Sequence, residues 1–367
     1  MEMLLLPLAI IGAASVAIHF AASSFEGAAD YLGRNLPPGV KGATLNAIAS
    51  SLPEVFTTFF LLFYLGDVVG FASGLATCAG SAMFNMTVIP GLCLLFTAGA
   101  VTRAGGSIAP NRKLLIRDLL FFAVAEALLL YVVGGSAIGI GLSLLRVLSY
   151  SVYAGALIRQ IRKHQGQAAG ENSEEEEEHE PGTNRWLAAL QLDMRSFLFA
   201  NSPWSTGKAW TVLLLATTFL GIACDFLANA VLDVATALEI SPFFSAVILA
   251  AAGTSIPDTL LSIRDAKKGN YEDALSNAFG SNIFNICIAL GLPMLAFTLL
   301  NGPLPLTNEV EMGRVQELCV SLIIASGVTG LVLAGPRQLK FHHGLALLAI
   351  YLTWAAITVL PMLNQLA

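Results

Sequence analysis

The sequence predicts an all-α membrane protein of ten transmembrane helices, arranged as two inverted five-helix repeats. Three observations predict it. The 367 residues are 56% hydrophobic and only 12% charged, whereas soluble domains are about 25% charged. Ten apolar stretches approach or exceed the roughly 20 residues that one membrane helix needs. A polar, glutamate-rich segment separates the first five from the last five.

The first five spans are read at 3–32, 40–64, 68–97, 113–133 and 136–160, and the last five at 209–238, 242–265, 273–300, 315–335 and 342–363. Residues 1–160 therefore form the first repeat, 161–208 an acidic loop, and 209–367 the second repeat. The first and sixth spans are long enough to be tilted. The 33 glycines suit close helix–helix contact in lipid. Met1-Glu2-Met3 leads straight into apolar residues with no basic segment, so the chain start reads as a first span rather than a cleaved signal. In the loop, Gly170 to Ser173, the run Glu174 to Glu178, and Pro181-Gly182 read as a flexible linker. Trp186 to Phe199 carries Leu187, Leu190, Met194 and Phe197 at helical spacing. It reads either as a short helix on the membrane surface or as a partly ordered loop.

Basic residues set the orientation. Of the 19 Lys and Arg residues, 17 fall on the side of the acidic loop, only Arg314 on the opposite side, and Arg146 within a span. Positive charge stays cytoplasmic, so the loop is expected inside and both termini outside, in the cell membrane. Five spans per repeat is an odd number, so the second repeat enters the bilayer upside down relative to the first. Inverted repeats with interrupted helices at matching places form a transporter pattern, with the site near the midplane.

One motif occurs in both halves. Ala49-Ser50-Ser51-Leu52-Pro53-Glu54 is followed by Gly80-Ser81-Ala82-Met83-Phe84-Asn85. Gly253-Thr254-Ser255-Ile256-Pro257-Asp258 is followed by Gly280-Ser281-Asn282-Ile283-Phe284-Asn285. A charged side chain at the bilayer centre costs about 2.5–3.5 kcal/mol on insertion scales and marks a functional site by default. Pro53 and Pro257 lack an N–H, so each frees the carbonyl four residues earlier. In lipid, such a carbonyl is tolerated where it lines a cavity. Ser81 with Asn85, and Ser281 with Asn285, share a helix face through their i, i+4 spacing. The donors are all oxygen, without thiolate or imidazole, as hard cations prefer, and Ca²⁺ takes 6–8 such ligands. A lone Ser/Thr/Pro kink or one buried acid is commonly a helix contact; two matched sets of acid, hydroxyl and amide point to one shared cation site. Two close carboxylates repel in a low-dielectric core, which makes moving the site without a cation costly and favours exchange over leak. Protons are expected to compete for it.

These residues resemble the two α-repeats of the cation/calcium exchanger superfamily, above all its sodium/calcium exchangers. Ala251 to Asp258, Lys267-Lys268-Gly269 and Gly280 to Asn285 resemble the potassium-dependent branch in particular. The resemblance implies a ten-span fold that exchanges Ca²⁺ for several Na⁺ at one set of central sites. It implies that Glu54 and Asp258 are the Ca²⁺ carboxylates, completed by the carbonyls of Ser50 and Thr254. It implies Na⁺ ligation by Ser51, Ser255, Ser81 and Ser281 with the carbonyls of Ala47 and Ala251, Asn85 and Asn285 lining the centre, and spans one and six sliding as a gate. The sequence departs from the family pattern at Ala49-Ser50, where Gly-Thr is usual, and at Ala82, where Asn is frequent. Asn285 stands where the potassium-dependent branch has Asp, which argues against K⁺ co-transport. The loop is too short for large regulatory Ca²⁺ domains.

The resulting expectation is a monomeric Na⁺/Ca²⁺ antiporter in the lipid bilayer, with Ca²⁺ and Na⁺ as transported ions and no cofactor. A proton-coupled Ca²⁺/H⁺ antiporter of the same fold stays open, although the residue style of that branch is absent. A passive cation channel is the alternative of another class. No GxSxG, HExxH or paired-aspartate motif suggests an enzyme, and no basic patch with aromatics suggests nucleic acid. Cys78, Cys93, Cys224, Cys287 and Cys319 read as small buried hydrophobes, and His19, His342 and His343 as structural. Glu26, Asp30, Glu126, Asp225 and Asp233 read mainly as helix caps or helix–helix hydrogen bonds, with Asp225 expected deepest and an access or gate role as the minor alternative. The glutamate run lacks the spaced ligands of a Ca²⁺ loop.

Overall fold

The computed structural model describes residues 2–34, 47–103, 108, 112–165, 193–199, 202–269 and 271–366. The first half contains α1 (Glu2–Leu32), α2 (Ala47–Leu65), α3 (Val68–Met83), α4 (Ile89–Arg103), α5 (Arg112–Val133) and α6 (Ile140–Gln165). A short α7 (Met194–Phe199) precedes α8 (Thr206–Ala237), α9 (Pro242–Ser245), α10 (Ala251–Thr254), α11 (Ile256–Lys268), α12 (Tyr271–Phe284), α13 (Gly291–Asn301), α14 (Glu309–Ala334) and α15 (Phe341–Leu366). π-helical turns at Phe84–Val88, Ala246–Ala250 and Asn285–Ala289 join α3 to α4, α9 to α10 and α12 to α13.

Among the described residues, eight helices are long and apolar enough to cross a membrane, or nine if the bent pair Pro242–Thr254 and Ile256–Lys268 is one span. α5, expected as the fourth span, is a helix that carries Arg117, Asp118 and Glu126 and falls outside that count. Packing absorbs these charges: Arg117 pairs with Asp118 at 2.7 Å, and Ser326 of α14 donates to Glu126 at 3.0 Å. Many large apolar side chains, among them Leu6, Val124, Tyr131, Leu331 and Leu352, point outward, as a lipid-facing belt requires.

Local chemistry explains the helix ends. Asp67 caps α3 by accepting from the N–H groups of Val69 and Gly70. Asn308 caps α14, whose first turn holds Glu309 and Glu311. Gly269, at φ 92°, ends α11 in the left-handed conformation after Lys267 and Lys268.

The two motif prolines behave differently. α2 continues through Pro53, whereas the second copy breaks at Ser255 and bends by 42°. The helix ahead of the break contains Gly253, and Ala49 stands at the matching place in the first copy. Glycine weakens a helix by about 0.8–1.0 kcal/mol relative to alanine.

Packing places the motif helices at the centre. α1 lies along α8; α2 packs on α3 and α13; α11 packs on α12 and α4. Outside them, α4 contacts α15 and α13 contacts α6, while α5 and α14 pack on each other and on α12 and α3 respectively. A two-residue antiparallel pair, Ala137 with Pro305 and Ile138 with Leu304, ties the loops before α6 and α14.

Of the stretch 186–199, read either as a short helix or as a partly ordered loop, residues 194–199 form α7, where Met194 is buried and its N–H donates to Ser24. Residues 186–192 and the glutamate run lie outside the described residues. Asp225 is not the deepest of the secondary acids. It is only partly buried, between the exposed Ile222 and Phe226, and accepts from Tyr64 and Asn229. Glu126 is the buried one, 1% exposed, because α5 turns it onto α14.

Candidate cation site

Glu54 on α2 and Asp258 in the first turn of α11 are both fully buried, at 0% exposure. The side chains around them form one hydrogen-bonded network. Ser81 of α3 donates to Glu54 Oε1 at 2.7 Å and lies 2.8 Å from Ser255 Oγ. Asn285 Nδ2 also donates to Ser81 Oγ, at 3.1 Å. A hydroxyl has one proton; that of Ser81 goes to the carboxylate, so Ser255 is the donor in their contact. Asn85 Nδ2 donates to Asp258 Oδ2 at 3.0 Å, and Ser281 to Asp258 Oδ1 at 3.4 Å.

The network leaves acceptors over. Ser51 Oγ, Glu54 Oε2, Asn85 Oδ1 and Asn285 Oδ1 are buried without a hydrogen-bond partner. Buried polar atoms are rarely left so, and here they are oxygens contributed by both halves beside two carboxylates. Such a set suits a hard cation. Among the described residues no three His, Cys, Asp or Glu side chains cluster, so hydroxyl and amide oxygens must complete any coordination.

The structure thus brings together Glu54, Asp258, Ser81, Ser255, Ser281, Asn85 and Asn285 directly. Ser51 is fully buried one turn before Glu54. Thr254 is buried within hydrogen-bonding reach of Glu54, and its hydroxyl donates to the carbonyl of Ala251 at 3.2 Å. That carbonyl also accepts from Ser255 N–H at 3.1 Å, so both its lone pairs are engaged. The expected ligand role of the Ala251 carbonyl requires these two bonds to open. Ala47 begins α2, and Ser50 lies at the edge of the network on a cavity wall.

That cavity, of about 300 Å³, opens between α1, the start of α2 and α11. His19, Ser23, Glu26, Ser50, Pro257 and Arg264 line it. Pro257 directly precedes Asp258 and Ser50 stands about one helical turn before Glu54, so the cavity ends near the site. His19, expected to be structural, thus lines this cavity together with Glu26 and the apolar Leu260 and Leu261.

Three buried polar residues were not among the expected site residues. Asn282 is fully buried with both ends of its amide unpartnered; its place in the second motif was the available signal. Thr58 and Ser262, both buried, sit one turn after each acid, a spacing that puts them on the face of the acid.

The sequence pattern of the Sodium/calcium exchanger protein family matches residues 6–159 and 208–360. Human sodium/potassium/calcium exchanger 5 is 26% identical over 400 residues, which cover 89% of this chain and 76% of that protein. Human sodium/potassium/calcium exchanger 1 is 42% identical over 79 residues, covering 21% of this chain and 7% of that protein. Among solved structures, the H⁺/Ca²⁺ exchanger CAX matches with a TM-score of 0.63 at 16% identity, over 99% of this chain and 86% of that one. The sodium-calcium exchanger NCX_Mj matches with a TM-score of 0.53 at 21% identity, over 96% and 98%. The duplicated acid, hydroxyl and amide motif thus sits in a family pattern that spans both halves: the chain belongs to the sodium/calcium exchanger protein family.

Proposed function

We propose that the protein is a secondary antiporter that exchanges Na⁺ for Ca²⁺ across the cell membrane at one central site by alternating access. One observation carries this reading: two fully buried carboxylates, one from each half, share a hydroxyl and amide network that has acceptor oxygens to spare. Ca²⁺ or several Na⁺ neutralise the pair. The repulsion between the carboxylates resists movement of the site without cations, which makes transport an obligatory exchange.

Glu54 and Asp258 hold Ca²⁺, with the carbonyls of Ser50 and Thr254. Ser51, Ser81, Ser255 and Ser281 provide Na⁺ ligands, and Asn85 and Asn285 line the centre. The fold reading is ten spans in two inverted repeats, 1–160 and 209–367, joined by the cytoplasmic loop 161–208. The matched packing supports it: α4 on α15 answers α13 on α6, α2 on α13 answers α11 on α4, and α5 on α12 answers α14 on α3. The cavity opens on the side of Arg264 and the other basic residues, so the proposed state faces the cytoplasm, with both termini outside.

The test is ⁴⁵Ca²⁺ uptake into proteoliposomes loaded with Na⁺ and diluted into Na⁺-free buffer, beside a set driven only by a pH gradient. Uptake on the outward Na⁺ gradient alone is expected. Uptake on the pH gradient alone would keep the site and move the coupling to protons, and steady uptake without any counter-ion would make the protein a channel.

A further inference from the structure

Arg146 has no place in the site as described. It is 3% exposed, and among the described residues it is the sole buried Lys, Arg or His. Its Nη2 donates to the carbonyl of Ile286. Nε and Nη1 have no hydrogen-bond partner. A guanidinium stays charged in proteins, and a buried charge without an anionic partner is costly.

Two of the other buried acids are paired with arginines. Asp118 pairs with Arg117 and Glu311 with Arg314, while Glu126 accepts from Ser326. The remaining negative charges of the core are Glu126, whose Oε1 has no hydrogen-bond partner, and the Glu54–Asp258 site. Arg146 reaches that site through a short chain of contacts. Ile286 lies in the π-helical turn Asn285–Ala289; Asn285 donates to Ser81, and Ser81 to Glu54. α6 comes close enough because residue 291 is glycine: a Cβ there would stand 3.3 Å from Arg146 Cβ.

Resting on the antiporter reading, we infer that Arg146 sets the ion affinity of the site, as a fixed positive charge behind its Asn285 wall. It offsets part of the charge of the two carboxylates and weakens their hold on the cation, so that the ion can leave. It is a positioning residue through Ile286 and an electrostatic one through its charge. A fixed unit charge acts on a divalent ion with twice the energy it has for a monovalent ion at the same place, so the affinity factor for Ca²⁺ is roughly the square of that for one Na⁺. The sign is distinctive, since loss of a purely structural residue weakens binding.

The experiment is equilibrium ⁴⁵Ca²⁺ binding, with Na⁺ competition, on purified full-length wild type, Arg146→Gln, Arg146→Met and Arg146→Lys. The neutral variants are expected to bind Ca²⁺ at least about tenfold tighter, with a smaller shift per Na⁺, near the square root of the Ca²⁺ factor. Arg146→Lys is expected to stay close to wild type. Equal or weaker Ca²⁺ binding by a folded neutral variant would overturn the inference. So would failure of both neutral variants to give monodisperse protein while Arg146→Lys does, which makes the role structural. Wild type that binds Ca²⁺ without Na⁺-driven uptake would count against the coupling reading and leave this result standing.

Discussion

Asn85 donates to Asp258 at 3.0 Å, so an amide from the first half holds the acid of the second. The reciprocal contact is indirect: Asn285 donates to Ser81, and Ser81 to Glu54. Glutamate is one methylene longer than aspartate, and its carboxylate reaches Ser81, which then stands between the acid and the opposing amide. Each half is thereby completed by the other, and neither motif makes a site alone.

Replacing either acid by its amide tests that arrangement. Glu54→Gln and Asp258→Asn are expected to abolish Ca²⁺ uptake in proteoliposomes while the protein stays folded. Removing one of two repelling buried charges is also expected to raise the melting temperature in Ca²⁺-free and Na⁺-free buffer. Unchanged flux in either variant would remove that acid from the site.

The two motif serines should differ. Ser81→Ala removes the donor to Glu54 and the acceptor for Ser255 and Asn285. Unpaired buried groups cost about 1–3 kcal/mol each, so Ca²⁺ uptake at sub-saturating Ca²⁺ is expected to fall at least about tenfold. Ser281→Ala loses one long contact of 3.4 Å and is expected to lose less. Initial rates against Ca²⁺ concentration for both variants decide it; equal losses would make the asymmetry unimportant.

Gly80 and Gly280 occupy the same motif position with different surroundings. A Cβ on Gly80 would meet the carbonyl oxygen of Val247 at 2.1 Å and Ala251 Cβ at 2.7 Å. Gly80→Ala is expected to destabilise by about 1–3 kcal/mol and to reduce transport by moving α3 from the turn ahead of α10. A Cβ on Gly280 meets only Tyr153 Oη, at 3.8 Å, so Gly280→Ala should be neutral or stabilising, by about 0.5–1 kcal/mol. Thermal melts of the two variants would separate them.

The cavity predicts sided access. Ser23→Cys and Leu261→Cys are expected to react with a membrane-impermeant maleimide from the side of the acidic loop. The five native cysteines are all buried, which keeps the background low. Labelling only from the side of the termini would reverse the proposed orientation.

Acidification should act as a competitor. Protonation neutralises the same carboxylates that hold the metal, so the Ca²⁺ concentration for half-maximal uptake is expected to rise as pH falls, with little change in the maximal rate. A maximal rate that falls at constant half-saturation would place the sensitive proton elsewhere.

The helices and the acids were legible because lipid leaves little choice. Apolar length marks a span, and a carboxylate inside one needs a reason. Repetition of the motif pairs Glu54 with Asp258. What stayed hidden depends on rotation and proximity. Helical spacing could not say that Glu126 faces α14 while Asp225 faces outward, since both lie within apolar runs. Nor could it place Arg146 beneath Ile286, or give the twin glycines different neighbours. The continuity of α2 through Pro53, against the 42° bend at the second copy, reflects context that two prolines in identical motif positions do not reveal.

The widened turns carry a last consequence, one of phase. A π-helical turn takes in one residue more than an ordinary helical turn, so side chains beyond it are rotated by about 100° from where a continuous 3.6-residue period would put them. Two of the three turns lie at the same motif asparagine, at Phe84–Val88 and Asn285–Ala289. The spacing between that asparagine and the following helix is therefore part of the motif, as much as its acids and hydroxyls. A one-residue deletion there would leave every ligand in the sequence and still turn the next helix to the wrong neighbours. Alignment of relatives should weigh gaps at Val88 and Ala289 as heavily as substitutions at the acids.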